Sequence, residues 1–117
     1  MRLVETLIYS LRPGTGAEFH KLVCEESLPI HEAVDMDVVD FGQSAHHPDA
    51  YFLVRAYDDL DHLNSSQQAL YSSDIWRKGP RPAILERIVV SLKSMAWMSE
   101  AAIEETRFCG NRRRAVS

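Results

Sequence analysis

The chain has 117 residues, of which 45% are hydrophobic and 26% charged, a composition typical of one globular domain around a single core. The formal net charge is −4, but three of the thirteen basic residues are Arg112, Arg113 and Arg114, which leaves ten basic residues against seventeen acidic ones elsewhere. An acidic body argues against nucleic-acid binding. Because no apolar run approaches the ~20 residues of a membrane span and Met1-Arg2 leads into a mixed strand, we expect a cytoplasmic protein without a membrane partner.

The first predicted strand runs from Leu3 to Leu11 and is followed by a Pro13-Gly14 turn. Its odd-numbered residues and its even-numbered residues form two mixed faces, so we expect both faces to be covered. Thr15 and Glu18 then have the spacing of a capping box at the start of a helix. Proline lacks an amide donor, so Pro29 predicts a break or kink in that helix around residues 27–29.

The middle of the chain predicts a hairpin. Asp37 to Phe41 form the second strand, Gly42 closes it, and a polar loop over residues 43–49 leads to the third strand, Tyr51 to Tyr57. The loop contains His46 and His47.

The last third of the chain predicts a helix, short turns and a strand. The helix runs from Leu60 to Tyr71 behind an acidic cluster that suits its N-terminus, and its buried stripe includes Gln67. A short capped turn at residues 73–76 and a brief helix at residues 83–87 lead to a strand at residues 88–97. After residue 99 we expect one helical turn and a ragged end.

This order of elements predicts a ferredoxin-like α+β fold, with an antiparallel sheet in the order 4-1-3-2 and both helices on one face. We divide the chain into a domain at residues 1–98 and a tail at residues 99–117 that is partly disordered or packed on a partner subunit. The other sheet face is expected to be uncovered, partly apolar and paired with a second copy in a dimeric α/β barrel. The residues assigned to it are Glu5, Leu7, Tyr9, Leu53, Arg55, Tyr57, Ser91, Lys93 and Met95.

Four segments resemble the NIPSNAP family of the dimeric α/β-barrel superfamily, over residues 3–97. They are Val4-Glu5-Thr6-Leu7-Ile8-Tyr9-Ser10-Leu11-Arg12-Pro13-Gly14, Leu28-Pro29-Ile30, Val54-Arg55-Ala56-Tyr57-Asp58-Asp59-Leu60 and Asp74-Ile75-Trp76. The family pattern has Arg, ahead of the Tyr of the first strand, where this chain has Thr6. We therefore expect one charge to be missing from the pocket. We expect a homodimer that works without a cofactor. At superfamily level the resemblance implies cofactor-free monooxygenases, isomerases, haem proteins or ligand-binding regulators.

The candidate pocket lies where the first and third strands are neighbours. Glu5, Tyr9, Arg55 and Tyr57 share one face there, and a carboxylate beside a guanidinium and two phenols could hold an anionic or enolic ligand. The alternative is a buried Glu5–Arg55 ion pair that satisfies itself, with the tyrosines as packing. The full candidate set is Glu5, Tyr9, Arg55, Tyr57, Trp76, Lys93 and Met95.

No metal or redox site is expected. The adjacent His46 and His47 have no third ligand at zinc-like spacing, and His20, His31 and His62 fall on helices or their ends, which disfavours haem binding. Cys24 and Cys109 form no metal or redox motif.

Three functions remain open from the sequence. The first is a small-molecule binding protein or cofactor-free enzyme, the second is a non-enzymatic interaction module, and the third is a subunit whose tail completes a hetero-oligomer.

Overall fold

A computed structural model of the chain describes residues 1–108. Its strands are β1 (Arg2–Leu11), β2 (Asp37–Ser44), β3 (His47–Tyr57) and β4 (Ile88–Met98). Its helices are α1 (Gly16–Leu22), α2 (Leu28–Ala33), α3 (Leu60–Tyr71), α4 (Asp74–Lys78), α5 (Arg81–Arg87) and α6 (Glu100–Thr106), and a π-helical segment (Val23–Ser27) joins α1 to α2. The sheet is antiparallel in the order β2-β3-β1-β4. The predicted ferredoxin-like α+β fold is confirmed.

The N-terminus of α1 is capped by a side chain of the β2–β3 hairpin. The Asp49 carboxylate accepts hydrogen bonds from the amides of Gly14 and Gly16, each at 2.9 Å. The predicted capping box is wrong, because the Thr15 hydroxyl donates to the carbonyl of Arg12 and makes no cap. Gly16 permits this arrangement, since a Cβ there would lie 1.8 Å from the carbonyl oxygen of Pro48.

Pro29 does not end the first helical region. The amide of Leu28 bonds the carbonyl of Val23, five residues back, so one stretch of helix is wider than an α-turn. Pro29 then stands at the start of α2, where the lack of an amide donor costs nothing. The predicted break is therefore a π-helical segment that lets the helix continue.

The predicted loop between β2 and β3 is also shorter than expected. The strands extend to Ser44 and from His47, so only residues 45–46 connect them. The Gln43 side chain donates to the carbonyl of Pro48 at 3.1 Å, which stabilises this tight hairpin.

The two faces of the sheet were assigned the wrong way round. The face with Leu3, Leu11 and Tyr51 packs against the helices, in a core that contains Phe19 and Leu70. We therefore call it the helical face, although the residue pattern predicts that it is uncovered. Both faces of β1 are mixed, so the alternation alone does not decide which one the helices cover.

The even-numbered residues of β1, β3 and β4 form the open face, and α6 covers part of it. Ser99 caps α6 by accepting from the amide of Ala102 at 3.1 Å, and Ile103 is fully buried against Val4, Val39 and Ala56. The described part of the predicted tail thus forms more than one helical turn and packs on the chain's own sheet. The division at residue 98 stays a prediction, and Cys109 and Arg112 to Arg114 lie outside the described residues.

Within residues 1–108, every helix is too short or too polar to cross a lipid bilayer.

Candidate functional site

The centre of the site is the buried ion pair between Glu5 and Arg55. These residues are direct cross-strand partners on β1 and β3, as the strand order predicts. The Arg55 guanidinium donates to Glu5 Oε1 from Nε at 2.8 Å and lies 2.7 Å from it at Nη2. Glu5 is 0% exposed and Arg55 is 1% exposed, so both charges have left water and depend on each other.

Three further groups donate to or neutralise the Glu5 carboxylate. The Gln67 amide donates to Oε2 at 2.7 Å, the Tyr57 hydroxyl donates to Oε1 at 3.4 Å, and the Lys93 ammonium lies 3.3 Å from Oε2. Burial by itself would raise the pKa of Glu5, but the charge of Arg55 and the hydrogen bond from Gln67 outweigh it. The pKa of Glu5 is therefore held below its ordinary value, and the group stays ionised.

His31 contacts the opposite side of Arg55. The ring donates from Nδ1 to the carbonyl of Ser27 at 2.8 Å, so Nε2 is left to accept from Arg55 Nη1 at 3.1 Å. Burial, with a smaller effect of Arg55, lowers the pKa of His31 to about 4. His31 is neutral at physiological pH, and both of its nitrogens are engaged.

The two tyrosines predicted for the site stay protonated. Burial raises the pKa of Tyr57 to about 12, and burial likewise raises the pKa of Tyr9 well above its ordinary value. Taken with Glu5 and His31, four of the site's polar groups therefore have a pKa far from neutrality. Such an arrangement suits the holding of a charged or polar ligand better than proton transfer at pH 7.

A cavity of about 490 Å³ lies beside these groups, between the helical face of the sheet and the helices. Its apolar lining residues are Leu7, Phe19, Val23, Leu53, Trp76, Ile84, Leu85 and Ile88. Its polar lining residues are Tyr9, Ser27, His31, Arg55, Gln67, Tyr71, Arg81, Ser91 and Lys93. Tyr71 lies with its ring centre 5.9 Å from Arg55 Cζ, a cation–π contact that helps to hold the guanidinium.

The structure brings together most of the candidate residues. Tyr9, Arg55, Trp76 and Lys93 line the cavity, whereas Glu5 and Tyr57 lie buried behind it. Met95 is not among the described lining residues, although it is the β4 partner of Glu5.

The predicted surroundings of the candidate residues need correction. Their cavity lies under the chain's own helices, because His31 and Gln67 from α2 and α3 contact Arg55 and Glu5. Thr6 pairs with Val54 on the open face, so it does not bear on the charge of the cavity.

Sequence reasoning missed His31, Gln67 and Arg81 as site residues. Gln67 carried a signal, because it is a polar residue in an otherwise apolar helical stripe. His31 carried a weaker one: Ser27 stands four residues before it, the distance at which a helical side chain reaches a backbone carbonyl. Nothing in the pattern marked Arg81, whose position depends on how α5 packs.

The other histidines show no metal site. Within residues 1–108, no three His, Cys, Asp or Glu side chains are grouped to hold an ion. His46 and His47 have ring centres 6.4 Å apart and are exposed on the hairpin. Cys24 is exposed, with its sulfur 3.6 Å from Nε2 of His20.

Solved structures show the same fold in other proteins. A NIPSNAP family protein from Agrobacterium tumefaciens superimposes with a TM-score of 0.78 and 22% identity, over 86% of this chain and 95% of that one. A NIPSNAP-like domain protein from Burkholderia xenovorans gives 0.77 and 21% identity, over 85% and 86%. This chain has the NIPSNAP fold. The predicted resemblance is confirmed at the level of structure.

A more distant neighbour of the NIPSNAP fold is a putative antibiotic biosynthesis monooxygenase from Nitrosomonas europaea, with a TM-score of 0.64 and 13% identity over 82% of this chain and 97% of that one. No family model matches the sequence, and no curated protein matches it. These likenesses show the fold, and the activity has to be argued from the site.

Proposed function

We propose that this protein binds a small, partly apolar molecule, anionic or phenolic at its polar end, in the cavity under the helices. The observation that carries the proposal is the cavity itself. Its volume of about 490 Å³ lies within the range of ~300–1,000 Å³ that is usual for ligand pockets. The cavity also combines apolar walls with convergent polar groups, among them Arg55, Lys93 and Gln67, as ligand pockets do.

A cofactor-free monooxygenase or isomerase is the second candidate. It is favoured by the fold shared with a putative antibiotic biosynthesis monooxygenase and by cations that would stabilise an enolate. We rank it below binding because Glu5 is ionised but fully paired, and because the acceptor nitrogen of His31 is engaged by Arg55. A non-enzymatic interaction module, the third candidate, would have no need of an open cavity.

The proposal is tested by native mass spectrometry of the protein purified from its expression host. We expect a small molecule bound to the wild-type protein, and we expect Ser91→Trp to lose it, because Ser91 is a small residue of the cavity wall. Ser65→Trp is the matched control, since Ser65 is exposed on α3 outside the cavity. A wild-type protein that carries nothing, and takes up nothing from a cell extract, would favour the interaction module.

A homodimer is also part of the proposal, now with the open face as its interface. Ile8 is 49% exposed and its β4 partner Leu92 is 62% exposed, so apolar side chains of β1 and β4 lie together in water. A second copy could cover them. Light scattering at micromolar concentration should give twice the mass of the chain, and a monomer would contradict the dimer. A cytoplasmic location is proposed on composition alone.

A further inference from the structure

We infer that the polar end of the ligand is an anion, a carboxylate or an enolate, and that Lys93 is the residue that contacts it. The inference rests on the proposed function, and it chooses between the anionic and the phenolic ligand. It is drawn from the charges around the cavity.

All charged side chains among the described lining residues are cations. They are Arg55, Arg81 and Lys93, and no carboxylate lines the cavity within residues 1–108. The chain as a whole is acidic, with seventeen acidic residues against thirteen basic ones, so this local excess of positive charge runs against the composition. Glu5, the nearest carboxylate, is fully buried behind Arg55.

One carboxylate therefore faces two cations. Glu5 Oε1 contacts Arg55 at 2.7 and 2.8 Å. Glu5 Oε2 accepts a hydrogen bond from Gln67 at 2.7 Å and lies 3.3 Å from the ammonium of Lys93. Arg55 is thus neutralised by close contacts, and Lys93 has a longer ion-pair contact of 3.3 Å. Arg81 adds a further positive charge and forms no ion pair with the described residues.

The neutral groups of the site do not supply the missing negative charge. His31 is neutral, and its acceptor nitrogen is engaged by Arg55. Tyr9 and Tyr57 remain phenols. A neutral phenolic ligand would leave two of the three positive charges unmatched beside the cavity, whereas an anionic ligand would match one of them with a charge-assisted hydrogen bond.

Lys93 can reach such a ligand because it is held loosely. Its side chain is 44% exposed, while that of Glu5 is 0% exposed, and it comes from β4, the edge strand that forms one wall of the cavity. A flexible ammonium with three donors can keep its contact with Glu5 and still donate to a ligand. Arg55 is held in place by Glu5 and His31, so it contributes a fixed positive charge instead.

The test compares matched probes by isothermal titration calorimetry. One pair is 2-naphthoate and 2-naphthol, and the other is octanoate and heptanol, so each pair differs in charge and not in the apolar body. We expect the wild-type protein to bind the carboxylate of a pair about tenfold more tightly than the alcohol, as for one charge-assisted hydrogen bond. Lys93→Met should reduce that ratio to about one, and Lys93→Arg should retain most of it.

Lys21→Met is the matched control, because Lys21 lies on α1 outside the cavity, and it should leave the ratio unchanged. Unchanged binding of the alcohols to Lys93→Met shows that the cavity is intact. Equal binding of acid and alcohol by the wild-type protein, or a ratio that survives Lys93→Met, would overturn the inference while the proposed function stands. Failure of all four probes to bind would overturn the proposed function as well.

Discussion

The two faces of the sheet are built from the same alternating strands but differ in the groups that they bury. The helical face carries two fully buried charges, Glu5 and Arg55, next to its apolar core. The open face carries apolar groups where Val4, Val39 and Ala56 pack under α6, with a partly buried ion-pair network of Arg2, Asp37 and Arg107 beside them, and it leaves Ile8 in water. Fully buried charges need partners close to them, and α2 and α3 provide these on the helical face through His31 and Gln67.

The largest effect should come from breaking the ion pair on the helical face. Arg55→Met leaves Glu5 buried with Gln67, Tyr57 and Lys93 as its remaining partners. We expect the free energy of unfolding to fall by about 3 kcal/mol in urea denaturation. Adding Glu5→Gln should recover much of the loss, because no buried charge is then left unpaired.

Arg77→Met is the control for this pair, because Arg77 is exposed on α4. We expect a change within about 0.5 kcal/mol. An Arg55→Met variant as stable as the wild type would mean that Glu5 is satisfied without Arg55, and the two faces would then differ less than their burial suggests.

The next largest change in the free energy of unfolding should come from the end of the open face that α6 covers, and not from the end that is exposed. Ile103→Ala removes a fully buried side chain under α6 and should cost about 3 kcal/mol, whereas Ile8→Ala, at a half-exposed position, should cost less than about 1 kcal/mol in a monomer. Both are measured by urea denaturation. A cost at Ile8 that matches the cost at Ile103, and that grows with protein concentration, would show that a second copy buries this end too.

A smaller effect on stability should come from lowering the pH, because His31 is buried on the helical face. The folded pKa of His31 is about 4 and its ordinary value is 6.5, so the unfolded chain binds more protons between these values. The stability from neutral His31 is complete above pH 6.5 and is lost as the pH falls, by about 2 kcal/mol at pH 5.

Thermal unfolding of the wild type and of His31→Gln, from pH 7.5 to pH 5, measures this loss. The variant keeps a neutral polar side chain at every pH, so it should have a flatter profile than the wild type. Identical slopes for the two proteins would contradict the role given to His31. The window ends at pH 5 because below it the protonation of Glu5, whose pKa is lowered, also destabilises the fold.

The smallest effect should come from the cap of α1. Asp49→Ala removes the acceptor for the amides of Gly14 and Gly16, and we expect the free energy of unfolding to fall by less than in the variants above. Thr15→Ala is the matched variant, because Thr15 was predicted to be the cap and makes no cap bond in the structure. A larger loss from Thr15→Ala than from Asp49→Ala, measured by urea denaturation, would restore the capping box.

The sequence predicted the architecture well because the architecture depends on local patterns. The bounds of α3 and the order of the strands follow from hydrophobic periodicity and turn residues, and both agree with the structure. The pairing of Glu5 with Arg55 followed from strand order. What failed depends on contacts between distant segments: the cap of α1 comes from Asp49, and the polar groups that satisfy the buried charges come from His31 and Gln67.

The position of β4 at the edge of the sheet has a consequence for how the cavity opens. Among residues 1–108, β4 is hydrogen-bonded to β1 alone, and all of its residues from Val89 to Trp97 are exposed. Its amides should therefore exchange with deuterium through a cheaper local opening than the amides of β1, which is held from both sides. Because Ser91 and Lys93 belong to β4, fraying of this strand removes one wall of the cavity. A molecule could then enter without any movement of the helices.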